Sequence, residues 1–197
     1  MKRLLFSSVF SIFCLANTTA FSQENFQDLQ SGKMFPKEVE VKHDGKSYTL
    51  KATGATTRKK YIIQIYSIAS YIDNPSRTEG VKQMLDPNKT KQVTQIYLHD
   101  IDQKKMTDFL NESISKNIPA EQDLELRPLV NDFLSFYKGV KVNDKHETRW
   151  YPGGEVEFYI NGKLIGTIKS EKFALALWKL WFGDNSIVNR DEMVTFP

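Results

Sequence analysis

The most strongly patterned part of the chain is an uninterrupted run of strand-forming residues at 61–72. It is rich in Ile and Tyr, contains no Pro or Gly, and carries apolar residues at both odd and even positions. A strand that is apolar on both faces is covered on both sides, so this pattern predicts a central strand of a sheet. The preceding segment, 54–60, has the sequence Gly-Ala-Thr-Thr-Arg-Lys-Lys and is predicted to be a turn that carries one arginine, Arg58.

Alternating patterns on either side of tight-turn dipeptides indicate two hairpins. Asp44-Gly45 separates one pair of alternating segments and Asn161-Gly162 separates another. Asp-Gly and Asn-Gly are preferred two-residue turns between antiparallel strands. The predicted strands in these hairpins and elsewhere in the chain are 39–43, 47–52, 92–99, 148–151, 156–160 and 163–168.

Three stretches have the apolar spacing of amphipathic helices. Asp102 is predicted to cap a helix over 103–116, a second helix is predicted over 120–138, and Ser170 is predicted to cap a third that ends at Gly183. Strands and helices therefore come in runs rather than in strict alternation. This order predicts an α+β fold in which helices pack on one face of a long, mostly antiparallel sheet.

The N-terminal residues have the features of a secretory signal peptide. Lys2 and Arg3 precede an apolar stretch that is too short for a membrane span, and small residues precede a cleavage site after Ser22. A cut after Ala20 is the competing site, and an uncleaved N-terminal anchor is the alternative interpretation. Cleavage predicts a secreted or periplasmic protein. The predicted organisation is a signal peptide at 1–22, a flexible N-terminal arm at 23–36 and one domain at 37–197.

Composition excludes several classes of function. A formal net charge of +3, spread along the chain, gives no electrostatic case for nucleic-acid binding. The only cysteine, Cys14, lies in the predicted leader, so the mature chain has no disulfide and no thiolate site. No cofactor-binding or nucleophile motif is present, and His43, His99 and His146 lack the spacing of a metal site. We therefore expect no cofactor, no bound metal and no stable membrane insertion, while the oligomeric state stays open.

The chain resembles the chalcone isomerase family, specifically its small secreted bacterial members. The glycine-to-arginine segment at 54–58 and the strand at 66–72 are similar to that family's glycine-rich turn, arginine and long strand. Residues 91–118 resemble its next strand and helix, and Trp-Phe-Gly-Asp-Asn at 181–185 resembles the Trp-Leu-Gly-Asp-Asn ending of the last helix in bacterial members. The resemblance covers most of 39–196 and implies an open-faced β-sandwich with a cleft between sheet and helices.

In the plant enzymes of this family, a cation or hydrogen-bond donors stabilise a phenolate and a developing enolate inside an apolar cleft. The resemblance places the family's arginine at Arg58, which is the catalytic candidate if the protein is an isomerase. The strand threonine that polarises the ketone falls on Tyr66, and the helix tyrosine and asparagine fall on Met106 and Ser113. These differences favour binding over catalysis.

An arginine with a strand tyrosine is the pair that holds a carboxylate in the family's fatty-acid-binding branch. The resemblance therefore implies that Arg58 and Tyr66 bind a ligand. If the strand starts without a bulge, these two residues and Ile62 share a face, and Gln64 is a further candidate of the same parity. A guanidinium and a phenol suit a carboxylate because charge-assisted hydrogen bonds are strong in a cleft of low polarity. The alternative for Arg58 is a solvated turn residue beside two lysines.

Three functions remain open at this point. The leading one is a secreted protein that binds a small lipophilic, fatty-acid-like carboxylic acid in the cleft. The first alternative is an isomerase, an intramolecular lyase that cyclises a chalcone-like conjugated ketone. The second is a non-catalytic structural or interaction protein whose cleft is filled by side chains. Bulky residues such as Phe109, Phe133 and Tyr137 would either line the cleft or plug it, and the sequence does not identify the ligand.

Overall fold

The computed structural model describes residues 24–197, which form a long antiparallel sheet with helices on one face. The predicted leader lies outside the described residues. The strands are β1 (Asn25–Gln27), β2 (Met34–Pro36), β3 (Glu38–His43), β4 (Lys46–Lys60), β5 (Ile63–Asp73), β6 (Lys91–Tyr97), β7 (Ile101–Asp102), β8 (Gly139–Val140), β9 (Lys145–Tyr151), β10 (Glu155–Ile160) and β11 (Lys163–Lys169). The helices are α1 (Gln103–Ser115), α2 (Asp123–Ser135) and α3 (Glu171–Phe182), with short 3-10 turns at Gly80–Leu85, Ala120–Gln122 and Glu192–Val194.

Seven strands make the main sheet in the order β11-β10-β9-β6-β5-β4-β3, and all neighbours are antiparallel. The strand predicted to be central, β5, lies inside the sheet and is buried on both faces over most of its length. The sheet curls into a half-barrel, since His43 on β3 comes within 3.8 Å of Glu155 on β10 although four strands lie between them. The predicted α+β class is confirmed.

The prediction that 54–60 is a turn is wrong, because this segment forms the second half of β4. The strand pairs with β5 along its length, and the chain reverses only at Tyr61 and Ile62. Gly54 serves close packing rather than a turn. A Cβ built there would lie 2.2 Å from the backbone oxygen of Glu192, so only glycine lets the C-terminal segment approach the strand.

The helices begin where the sequence predicts. The Asp102 side chain accepts a hydrogen bond from the Lys105 backbone N–H at 2.9 Å, and Ser170 caps α3 through Phe173 N–H at 3.3 Å. The second predicted helix is shorter than expected. It starts as a 3-10 turn, continues as α2 and ends before Gly139, which belongs to β8 and has a φ of 97°.

The N-terminal segment, predicted to be a flexible arm, contains two short strands. Strands β1 and β2 pair as a short hairpin, and Phe35 is only 1% exposed on the concave face of the sheet. Asp28 is buried and accepts hydrogen bonds from the hydroxyls of Ser31, Thr57 and Ser67. Burial acts to raise the pKa of Asp28, but these hydrogen bonds outweigh it and the pKa lies below its ordinary value. The arm is held by a buried carboxylate that a sequence pattern does not reveal.

Candidate functional site

Arg58 and Tyr66 meet because they are directly opposite each other in the β4–β5 ladder. Residues at opposing positions of an antiparallel pair project to the same face, and this face carries the helices. The sequence predicts the same proximity from strand parity, but the cause is pairing across a hairpin. Ile62, expected beside them, lies instead at the tip of the hairpin and is 95% exposed.

The Arg58 guanidinium is half-buried and has no carboxylate partner among residues 24–197. Its central carbon lies 5.4 Å from the centre of the Phe109 ring on α1, and Nη1 donates to the Lys59 backbone oxygen at 2.7 Å. The Nε atom is buried without an acceptor. A cation in this position retains hydrogen-bonding capacity for an anion that enters from solvent.

The Tyr66 hydroxyl is buried and makes no well-formed hydrogen bond with any residue in the described part of the chain. Burial raises the pKa of Tyr66, and the neighbouring Trp181, Arg58 and Gln95 only partly oppose this effect. The phenol therefore stays protonated at neutral pH and is a donor without an acceptor. An unsatisfied buried polar group costs about 1–3 kcal/mol, so a ligand acceptor placed there gains affinity.

An outer cavity of about 380 Å³ opens beside Arg58, between the end of the β4–β5 hairpin and α1. This volume lies in the range of about 300–1,000 Å³ that is usual for small-molecule sites. Its apolar wall comes from the sheet side and from α1, and charged residues stand around its rim. The lining residues are Arg58, Lys60, Ile65, Asp100, Ile101, Lys105, Met106, Asp108, Phe109 and Glu112.

An inner cavity continues from the outer one beneath the helices but is nearly filled. Its volume is about 20 Å³, enough for about one water molecule. Ile65, Ile101, Met106 and Phe109 line both cavities and form the partition between them. The bulky aromatic side chains that were expected either to line or to plug the cleft plug its inner part and leave its outer part open.

Several polar groups around the inner part of the cleft lack partners, and the sequence does not single them out. The Tyr97 hydroxyl contacts only the Met106 sulfur, at 3.9 Å, and the indole N–H of Trp181 is unpaired. His146 packs against the rings of Tyr97 and Tyr137 with both ring nitrogens unpaired. Burial lowers the pKa of His146 to about 4, so this interior is uncharged at neutral pH. Tyr97 and His146 come from neighbouring strands, β6 and β9, whose pairing the sequence does not specify.

Gln64 does not join Arg58 and Tyr66. Its side-chain amide donates to the backbone oxygen of Gln30 at 3.0 Å, and it lines neither cavity. The structure also shows the surroundings of the two positions on α1 that differ from the plant enzymes. Met106 presents a thioether to both cavities, and Ser113 is buried on α1 near the helix end. A thioether offers no strong donor to an enolate oxygen.

A second group of polar side chains on the concave face could hold a metal ion. One ligand atom from each of His43, Glu155 and Glu157 lies within 4.8 Å of the others. The His43 ring stacks on Tyr151 with 3.7 Å between ring centres, and Glu157 accepts hydrogen bonds from the hydroxyls of Tyr151 and Tyr159 at 3.0 and 2.8 Å. The carboxylates are thus already engaged by phenols and by the imidazole, an arrangement that an ion-pair cluster explains.

A larger groove of about 700 Å³ lies beyond the far end of α1, where Asn185 donates to the backbone oxygen of Lys116. It is open, and two of its cations have carboxylate partners: Arg190 pairs with Asp184 at 3.0 Å and Lys116 with Glu112 at 2.7 Å. The groove has no unpaired buried donor comparable to Tyr66 among its described residues. The smaller cavity beside Arg58 is therefore the better candidate site.

The fold and the site together define a sheet-and-helix protein whose apolar cleft has a cation in its outer cavity and a buried phenol in its inner cavity. Residues 29–191 match the family described as chalcone isomerase-like. The chain belongs to this family, which confirms the resemblance seen in the sequence. Comparison with curated proteins finds no significant match.

A solved structure with a similar fold is the crystal structure of a fatty-acid binding protein of Arabidopsis thaliana. The two structures superpose with a TM-score of 0.72 at 15% sequence identity, and the match covers 87% of this chain and 96% of the other. At this identity the likeness establishes the shared fold.

Proposed function

We propose that the protein binds a small lipophilic carboxylic acid, of the fatty-acid type, in the cleft between sheet and helices. The observation that carries the proposal is the pair of unsatisfied donors on one face: the Arg58 guanidinium without a carboxylate partner and the Tyr66 hydroxyl without an acceptor. The fatty-acid binding activity named for the structural relative supports the same class of ligand.

The chemistry of the two donors selects a carboxylate over a neutral polar group. A guanidinium and a phenol donate to two oxygens of one anion, and charge-assisted hydrogen bonds are about twice as strong as neutral ones. In the proposed complex the carboxylate lies between Arg58 and Tyr66. The hydrocarbon tail contacts the apolar partition and enters the inner cavity when Met106 and Phe109 change rotamer, and the unbranched Met106 side chain does so readily.

The same surroundings argue against the isomerase alternative. Met106 lies where the enzymes carry a tyrosine, and the buried Tyr66 replaces the threonine that polarises the ketone. The site thereby keeps its anion-binding donors and lacks the groups that assist the enolate. We also propose, from the leader-like residues 1–22, that binding takes place in the periplasm or outside the cell.

The proposal is tested by titrating the protein with a medium-to-long-chain fatty acid and with the alcohol of equal length. We expect saturable binding of the acid and weaker binding of the alcohol, because only the acid engages the guanidinium. Arg58→Ala is expected to cost on the order of 2 kcal/mol, about thirtyfold in affinity for the acid, and little for the alcohol.

Arg77→Ala is the matched control, since Arg77 also stacks on an aromatic ring, that of Phe196 at 5.0 Å, but lies outside the cleft. It is expected to bind the acid as the wild type does. Equal affinities of wild type and Arg58→Ala, or equal binding of acid and alcohol, would show that the proposed carboxylate site is wrong.

A further inference from the structure

The turn between β4 and β5 exposes large apolar side chains at its tip. Tyr61 is 89% exposed, Ile62 is 95% exposed, and Ile63 is half exposed. Tyr61 also has a φ of 56°, a left-handed conformation that bulky residues rarely adopt. The other hairpin turns of the main sheet use small or polar residues: Asp44-Gly45, Gly153-Gly154 and Asn161-Gly162. Tyr and Ile are therefore unusual in this turn, because solubility favours polar residues and the left-handed backbone favours Gly, Asn or Asp.

Two further exposed apolar residues lie at the same end of the molecule. Leu29 is 90% exposed and precedes Gln30, whose backbone oxygen accepts the hydrogen bond from Gln64 near the tip. Val142 is 48% exposed, and its N–H donates to Asp100, a residue of the outer cavity rim. We call the surface formed by Leu29, Tyr61, Ile62, Ile63 and Val142 the apolar end.

The charges that flank the tip are cationic. Lys59 and Lys60 are exposed beside it, and Lys59 makes no ion pair within residues 24–197. The carboxylates around the outer cavity each have a lysine partner at 3.0 Å or less. These pairs are Asp108 with Lys104, Asp102 with Lys105, Asp100 with Lys141, and Glu112 with Lys116.

A protruding set of aliphatic and tyrosine side chains with flanking lysines suits the interface of an anionic lipid membrane. The apolar side chains reach the acyl boundary, tyrosine favours the headgroup level, and lysines are attracted to anionic lipid at about 1 kcal/mol each. No helix of the described chain is long and apolar enough to span a bilayer.

We propose that the apolar end docks on an anionic lipid surface and holds the outer cavity against the membrane. The cavity mouth is next to the tip, because Lys60 lines it and Arg58 lies three residues before Tyr61. Exchange of ligand between the cleft and the membrane then follows from the geometry. The docking rests on the apolar end alone, whereas the exchange rests on the proposed fatty-acid binding.

Docking is tested by co-sedimentation of the protein with phosphatidylcholine vesicles that contain or lack phosphatidylglycerol. We expect binding to the anionic vesicles and a loss of about tenfold in partitioning for Ile62→Ser, since burial of one Ile side chain is worth at least that factor. Leu124→Ser is the matched control. Leu124 is 91% exposed at the start of α2 and lines neither cavity.

The contribution of the lysines to docking is tested with two further variants. Lys59→Gln is expected to lower partitioning onto anionic vesicles about fivefold and to have no effect on neutral ones. Lys46→Gln, at the opposite end of β4, is expected to bind as the wild type does. If the wild type does not sediment with anionic vesicles, or if Ile62→Ser and Leu124→Ser bind equally well, the docking proposal is wrong.

A fatty-acid titration in solution separates this proposal from the previous one. Ile62→Ser is expected to keep the wild-type affinity, because its side chain is outside both cavities. Loss of vesicle binding with unchanged fatty-acid affinity would support docking as a separate property of the apolar end. Vesicle binding by a wild type that binds no fatty acid would support docking while overturning the proposed function and the exchange.

Discussion

At the scale of single residues, the site depends on donors that the fold leaves without partners. Tyr66 is the clearest case, because its hydroxyl is buried near Trp181, Gln95 and the Arg58 side chain and makes no well-formed hydrogen bond within residues 24–197. A residue that served only to fill the core would be as well served by phenylalanine. The tyrosine at this position therefore has a cost in the unliganded protein that a bound carboxylate removes.

Because of this cost, Tyr66→Phe is predicted to have opposite effects on the stability of the unliganded fold and on ligand affinity. Tyr66→Phe is expected to stabilise the unliganded fold slightly and to weaken fatty-acid binding by around 1 kcal/mol, about fivefold. The double variant Arg58→Ala/Tyr66→Phe is expected to lose less than the sum of the single losses, since both donors act on one anion. Thermal unfolding and a four-protein titration cycle measure the two effects. A loss of stability with unchanged affinity would assign Tyr66 to the core instead.

The sequence predicts Arg58 and Tyr66 as a pair but predicts a turn around Arg58, where the structure has a strand. The arginine and the tyrosine were identifiable from the sequence, because a resemblance fixes positions along the chain. Gln64 was selected by parity alone and is drawn away by Gln30, a contact across 34 residues. The sequence pattern only argues against His146 as a metal ligand and gives no signal at Tyr97, because both residues reach the cleft through the β6–β9 pairing. Contacts between distant segments are decided by packing, which local patterns do not record.

At the scale of elements, the hairpins show why some turns are predictable. Asp44-Gly45 and Asn161-Gly162 adopt the left-handed backbone of a tight turn at little cost, and both turns form where the sequence predicts them. The β4–β5 turn has Tyr61 in such a conformation, which turn propensities do not favour for tyrosine. The sequence pattern therefore places the turn at 54–60 instead. Gly54 is needed for a different reason, because it allows the Glu192–Val194 turn to approach β4 closely.

Gly54→Ala tests this assignment. The added methyl group would meet the backbone of Glu192 and Met193, and it would strain the hydrogen bonds that Thr53 and Ser70 donate to the Met193 oxygen at 2.8 and 2.7 Å. We expect a loss of about 1–3 kcal/mol in the free energy of unfolding. Chemical denaturation against the Gly166→Ala control measures it. The three atoms nearest to a methyl group at 166 belong to the side chain of Phe136 rather than to backbone, and a larger loss at 166 than at 54 would refute the assignment.

At the scale of the whole molecule, the uncharged interior links stability to pH. Folded His146 resists protonation until about pH 4, whereas an unfolded histidine binds a proton near pH 6.5. Between these values the unfolded chain binds more protons than the folded one, so the unfolding free energy falls as the pH drops from 6.5 to 4. The contribution present above pH 6.5 and lost by pH 4 is on the order of 2–3 kcal/mol.

His146→Gln removes this titration and is expected to flatten the acid side of the stability curve between pH 6.5 and 4. Urea denaturation at several pH values measures the slope. His99→Gln, at an exposed position, is the control and is expected to keep the wild-type acid sensitivity. If His146→Gln loses stability on acidification as steeply as the wild type, other groups account for the effect.

The partition formed by Met106 and Phe109 has a kinetic consequence. A tail can enter the inner cavity only in molecules whose partition is open, so the observed association rate should level off at the opening rate as ligand concentration rises. The apparent dissociation constant is then the intrinsic one divided by the open fraction. A substitution at Met106 would therefore change the affinity through that fraction as well as through contacts with the tail.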